Sequence, residues 1–176
     1  MTHYDATRVE LLVETAREGL LSPVGHDLEL HATIVTVDID DEAGTVDARI
    51  DARAIHLRGA VVDGRVESGR ISASDTRTIE GHLRDDVLEV GRHPEIRFGG
   101  KLTGATPSGG HVVEGTLTLR GLSRPLVIRT TREGENELAE VALEQTDFGI
   151  KPFRAMLGAL RVRSRVLIKL RIRTSP

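Results

Sequence analysis

In RVRSRVLIKLRIR, residues 161–173, apolar and cationic side chains take turns. Val162, Val166, Ile168, Leu170 and Ile172 occupy even positions, interrupted by Ser164. Arg161, Arg163, Arg165, Lys169, Arg171 and Arg173 occupy odd positions, interrupted by Leu167. Successive side chains of a strand point to opposite faces, so a period of two builds one apolar face and one cationic face. The stretch predicts a half-buried strand of roughly 13 residues, about 43 Å at the usual rise, rather than a disordered basic tail.

The same period recurs along the chain. Val46, Ala48, Ile50 and Ala52 alternate with Asp47, Arg49, Asp51 and Arg53; Val113, Gly115, Leu117 and Leu119 alternate with Glu114, Thr116, Thr118 and Arg120; Ala139, Val141 and Leu143 alternate with Glu140, Ala142 and Glu144. Further strands are predicted near 7–15, 28–40, 95–103 and 125–131, with turns at Asp41–Gly44, Pro107–Gly110 and Gly121–Pro125. Between Ile34 and Val35 the apolar parity flips, which predicts a β-bulge that bends its strand. Two segments carry a helical period instead. Ile79, Leu83, Val87 and Val90 share one face over 75–90, with Ser74 or Asp75 as N-cap. Phe153, Met156, Leu157 and Leu160, spaced i, i+3, i+4, i+7, predict a short amphipathic turn that either plugs one barrel end or lines a portal. Some eight antiparallel strands with one apolar face each must close on themselves or stack, so the fold class is all-β with one or two short helices, a barrel or a sandwich. Residues 1–176 read as one domain.

Composition limits the chemistry. Tyr4, Phe98, Phe148 and Phe153 are the whole aromatic supply, so an interior space is walled by aliphatic side chains and stacking platforms for single-stranded nucleic acid are excluded. Without cysteine there are no disulfides or thiolate zinc sites. The N-terminal residues lack a basic start followed by an apolar run, no stretch has the apolar length of a membrane span, and a cytoplasmic protein is the expectation. Residues 151–176 hold eight Lys and Arg and no acid; against a chain total of −3, the first 150 residues therefore carry −11. That imbalance favours a cationic strand face paired with acids such as Glu140 and Glu144 over a lipid or nucleic-acid surface.

His26, Asp27, Glu29 and His31 crowd into SPVGHDLELHAT, residues 22–33. His26 shares parity with Leu28 and Leu30 and faces inward near a rim. His31 joins Asp27 and Glu29 on an exposed acidic edge, so the two histidines cannot meet on one metal. His82 and Asp86 are i, i+4 and can pair as imidazole and carboxylate; His93 follows them, and no nucleophile can be placed beside them from spacing. The Gly99–Gly100 and Gly109–Gly110 turns lack the lysine and helix of a phosphate loop. No catalytic residue, metal site or cofactor is implied.

Four segments, in order, carry a resemblance: GLLSPVGHDLEL, HLRDDVLEVGRHPEIRF (82–98), VEGTLTLRGLSRPL (113–126) and QTDFGIKPFRAMLGALRVRSRV (145–166). They resemble the YceI-like family of lipocalin-like barrels, whose members bind long polyisoprenoid chains. The GHDL form and Gln145 before DFGI mark a branch distinct from the periplasmic members with signal peptides, and Ser164 stands where an acidic residue is expected. The resemblance implies an eight-stranded antiparallel barrel around an apolar tunnel, with a helix packed at one side.

Parity and resemblance together predict a non-enzymatic binder, carrier or sequestering protein for an elongated apolar ligand, an isoprenoid or fatty-acyl chain. Inward candidates are Leu30, Val46, Ile50, Phe98, Leu117, Leu119, Val141, Leu143, Val166 and Ile168. Phe153, Met156 and Leu157 stand at the mouth, and His26 is a polar rim contact. The partner expected is an apolar small molecule, with a homodimer allowed and no nucleic acid. Two rivals remain: an enzyme acting on a lipid-like substrate with histidines at the mouth, and an interaction module using the basic face of the last strand.

Overall fold

The computed structural model describes residues 1–18, 26–155 and 160–175. Its strands are β1 (Thr2–Tyr4), β2 (Val9–Thr15), β3 (Arg17–Glu18), β4 (Asp27–Ala32), β5 (Val35–Asp40), β6 (Thr45–Asp51), β7 (Ile55–Val62) and β8 (Arg65–Glu67). After helix α1 (Ala73–His82) come β9 (Glu95–Ala105), β10 (His111–Leu119), β11 (Leu122–Glu133), β12 (Asn136–Glu144), β13 (Arg154–Ala155), β14 (Leu160–Val162) and β15 (Arg165–Arg173). Twelve of these form one antiparallel sheet, in the order β1-β5-β6-β9-β10-β11-β12-β15-β2-β4-β7-β8.

The sheet curls into a lipocalin-like barrel, and its two ends are joined by one bent hairpin. β4 pairs with β2 and β7 at one end, while β5 pairs with β6, and β6 with β9, at the other. Yet β4 runs into β5 across Thr33 and Ile34, and β6 runs into β7 through a 3-10 turn at Ala52–Ala54. The Thr33 N–H donates to the Ala54 carbonyl (2.9 Å) and the Asp51 N–H to the Ile34 carbonyl (3.1 Å), so the hairpin stays bonded through the bend. Strands that change direction at a bend or bulge are how sheets turn corners. The parity flip at 34–35 marks this corner: Leu30, Ala32, Val35 and Val37 are buried while Ile34 is 56% exposed. The sheet has twelve strands rather than the eight expected, because each bent pass is divided in two at the corner and short β1 and β8 flank the long strands.

The solid core lies beside this corner, where Tyr4, Val9, Ala32, Val35, Val37, Ile50, Ala52, Ile55 and Leu88 pack together. A second cluster, Phe98, Val113, Leu117, Phe148 and Ile150, packs under the turn at Gln145–Phe148. α1 begins one residue pair earlier than its spacing predicts, because the Ser72 hydroxyl, rather than Ser74 or Asp75, accepts from the Asp75 N–H (3.1 Å). It ends in a wide π turn, Leu83–Val87, with the Leu88 N–H bonded to the Leu83 carbonyl (2.8 Å).

Two expectations are corrected. The last strand is not continuous over 161–173. It breaks at Arg163–Ser164, where the Arg163 N–H donates to the Ala16 carbonyl and the Gln145 N–H to the Ser164 carbonyl. At both described ends of the helical turn expected over 153–160 the residues form strands instead: β13 pairs with β14, and β14 with β3, in a separate small sheet. Helical spacing of four apolar residues is a weak signal over so short a span, and strand pairing overrides it. Met156 and Leu157 lie outside the described residues. No helix among the described residues is long and apolar enough to cross a membrane.

Candidate functional site

The curled sheet and α1 surround a cavity of about 640 Å³, a volume typical of small-molecule sites. Its wall is aliphatic because each strand turns its apolar parity inward. Val13, Leu28, Ile128, Val141 and Ile168 all line it, and each is only half-buried although it points into the barrel. Their remaining surface faces the lumen, so side chains do not fill this barrel. Ile79 and Leu83 of α1 and its following turn, with Val87, close one side.

Every inward candidate named from parity lines this cavity: Leu30, Val46, Ile50, Phe98, Leu117, Leu119, Val141, Leu143, Val166 and Ile168. Phe153 lines it too, and its ring lies 5.1 Å from that of His82. His26 lines the rim and is exposed. Arg17, Arg70, Asp75, His82 and Arg161 border the same end, where β2 and β12 finish and β4 and β15 begin.

The opposite end is also polar. His111 of β10, Thr130 of β11 and Glu137 of β12 face the cavity on three neighbouring strands. The His111 Nδ1 lies 2.5 Å from Glu137 Oε1, the Thr130 hydroxyl donates to the same oxygen, and the His111 N–H donates to the Thr130 hydroxyl at 2.7 Å. On β12 this group stands six residues from Leu143, roughly 20 Å at the strand rise. The lumen is thus long and apolar, with a polar group at each end.

The residues singled out for chemistry disperse. His31 faces outward, opposite His56 of β7, and its Nδ1 is buried without a hydrogen-bond partner among the described residues. Glu29 is not an exposed edge: it is 4% exposed and accepts from Arg58 Nη1 at 2.9 Å. Asp27 accepts from the Arg17 N–H at 2.8 Å and so fixes the entry to β3. His82 and Asp86 do pair (2.6 Å) on the helix edge, whereas Asp86 and His93 are not among the cavity-lining residues. No group of three or more metal-ligating side chains is present among the described residues.

On the outer face, Lys169 and Arg171 of β15 bind Glu14 and Glu10 of β2. The register sets Glu140 opposite Lys169 and Glu144 opposite Arg165, but the ion pairs form with the other neighbouring strand. The Glu14 carboxylate holds the Lys169 ammonium above its ordinary 10.5, first through their hydrogen bond.

The quoted motifs meet at Arg120. Its guanidinium binds Glu89 and donates to the Gly149 carbonyl (3.0 Å), tying LEVG, LRG and DFGI together. Ser164, where an acid was expected, accepts from the Thr146 N–H at 3.3 Å and steadies the same turn. These motifs build the frame around the lumen.

A YceI-like domain profile matches residues 8–174. The chain belongs to the YceI-like family. Comparison with curated proteins finds no match in sequence. Among solved structures, Burkholderia cenocepacia BcnA aligns over 96% of this chain and 97% of its own, with TM-score 0.59 and 13% identity. A polyisoprenoid binding domain from Saccharophagus degradans, implicated in plant cell wall breakdown, aligns over 93% and 91%, with TM-score 0.59 and 12% identity. At such identities the likeness is one of fold, and it agrees with the curled antiparallel sheet.

Proposed function

We propose that this YceI-like protein binds an elongated apolar molecule, an isoprenoid or fatty-acyl chain, in its lumen and carries or sequesters it. The observation that carries this reading is the unfilled aliphatic cavity of about 640 Å³, whose wall residues keep free surface inside a well-bonded barrel. The polyisoprenoid binding domain with the same fold supports it. Leu30, Val46, Ile50, Phe98, Leu117, Leu119, Val141, Leu143, Val166 and Ile168 form the contact wall, with Phe153 and His26 at the mouth.

The energetics suit this role. Ten buried methylenes at about 0.8 kcal/mol each give a gross gain of roughly 8 kcal/mol, from which the cost of immobilising the chain is subtracted. A wall of Val, Leu and Ile imposes no polar pattern along the chain, so ligand length and width decide the fit. Binding rather than catalysis is favoured because, among the described residues, the histidines of the mouth and helix gather no nucleophile or metal set.

Mass spectrometry of an organic extract from natively purified protein is expected to show a co-purifying lipid. Delipidated protein is expected to take up geranylgeraniol or hexadecanoic acid, and Val141→Phe, which puts a ring into the lumen, is expected to weaken that uptake while the barrel still folds. No extracted lipid and no uptake of either probe would overturn the reading.

A further inference from the structure

We infer that the lumen takes an amphipathic chain tail-outward, with a hydrogen-bond-donating end, a hydroxyl or an ammonium, seated against Glu137 at the end remote from His26; this rests on the lumen being the binding site. Glu137 occupies an inward position on β12, in the same stripe as Ala139, Val141 and Leu143, and is 8% exposed. A carboxylate on the apolar face of a barrel strand is costly unless its lone pairs are used. His111 and Thr130 both bind its Oε1, and no described residue donates to Oε2. That oxygen belongs to a group lining the cavity, and a carboxylate offers acceptors only. His111 has its Nδ1 engaged, leaving Nε2 without a protein partner among the described residues.

The supporting bonds make this a built group and not a stray charge. The Thr130 carbonyl accepts from the Thr106 hydroxyl (2.8 Å), which in turn accepts from the Gly110 N–H (3.0 Å), so the turn before β10 braces the strand that orients Glu137. Gly110 is held in place sterically: a Cβ there would lie 2.3 Å from the Thr130 carbonyl oxygen. An anionic end is disfavoured here by charge, whereas a donor gains a charge-assisted bond out of water.

The test uses delipidated full-length protein and four chain-matched probes, hexadecanol, hexadecylamine, hexadecanoic acid and hexadecane, each displacing a fluorescent pyrenyl alkane. Hexadecanol and hexadecylamine are expected to bind about tenfold or more tighter than hexadecane, about 1.4 kcal/mol, with hexadecanoic acid no better than hexadecane. Glu137→Leu is expected to abolish the preference while leaving hexadecane binding intact, and Glu137→Gln, a nearly isosteric change that guards against misfolding, to remove the preference for the amine. Equal binding of all four probes, tightest binding of the acid, or a preference that survives both substitutions would overturn this inference and leave the lumen as a binding site. Failure of every probe, the pyrenyl alkane included, would overturn the proposed function with it.

Discussion

Gly115 sits where one added carbon has no room. A Cβ there would lie 2.4 Å from the Gly99 carbonyl oxygen and 2.6 Å from the tip of Phe98, whose ring also lies against Gly100. One large side chain thus covers two glycines on adjacent strands, a known way to protect exposed backbone. Gly115→Ala is expected to destabilise by about 1–3 kcal/mol, as overpacking does. Gly99→Ala, with nothing within 4 Å, is expected to stay within about 0.5 kcal/mol of the parent. Urea midpoints check both, and an unchanged Gly115→Ala midpoint would show that Phe98 can move aside. At this scale the lumen wall was legible, because alternation alone assigns an aliphatic side chain to a face. The polar end was not, although its signal was present: His111 and Glu137 continue the inward parities of Val113 and Ala139. A polar residue on an apolar parity is readable as an exception, but only cross-strand register reveals that His111, Thr130 and Glu137 are neighbours.

At the scale of elements, α1 matters because it walls the lumen while burying none of its own residues completely. Its start therefore leans on the Ser72 cap, and Ser72→Ala is expected to cost about 1 kcal/mol. Hydrogen exchange should show the loss as faster exchange in the first turn of α1, with the β9–β10 ladder unchanged; uniform slow exchange would contradict it. Most strands were readable from period two, and so was the corner at 33–34, because a flip of parity is what a bend does to a strand. β7 was not readable. It carries Gly59 beside a register shift opposite Glu29 and Leu30, and its inward set does not alternate cleanly. The described ends of the 153–160 segment misled for the opposite reason, since its apolar spacing suits a helix, while β3 supplies β14 with a strand partner that sequence proximity does not reveal.

For the whole molecule, the outer surface is laced with carboxylate–guanidinium pairs, and acid should loosen them together. Asp47 is typical: partial burial works against its charge, but hydrogen bonds from Arg97 and then Arg49 outweigh that and hold it below the ordinary 3.8. Asp51 is lowered likewise, chiefly by its hydrogen bond from Arg53. A carboxyl depressed by folding contributes fully above its unfolded value and loses that contribution as pH falls through its folded one. Melting temperature is therefore expected to be flat above about pH 5 and to drop below pH 4, with a shallower acid limb in Asp47→Asn; equal limbs would remove Asp47 as a contributor. The pairing of β15 with β2 has a further consequence, for the order in which the molecule assembles. Lys169 and Glu14 touch across 155 residues of chain, so on the ribosome β2 waits with an open edge until every strand between it and β15 has been made. Contacts of such sequence separation slow folding, and unpaired edges invite association with other chains. Wall closure is thus a late event in the life of each chain, and only then does a compartment exist that can receive cargo.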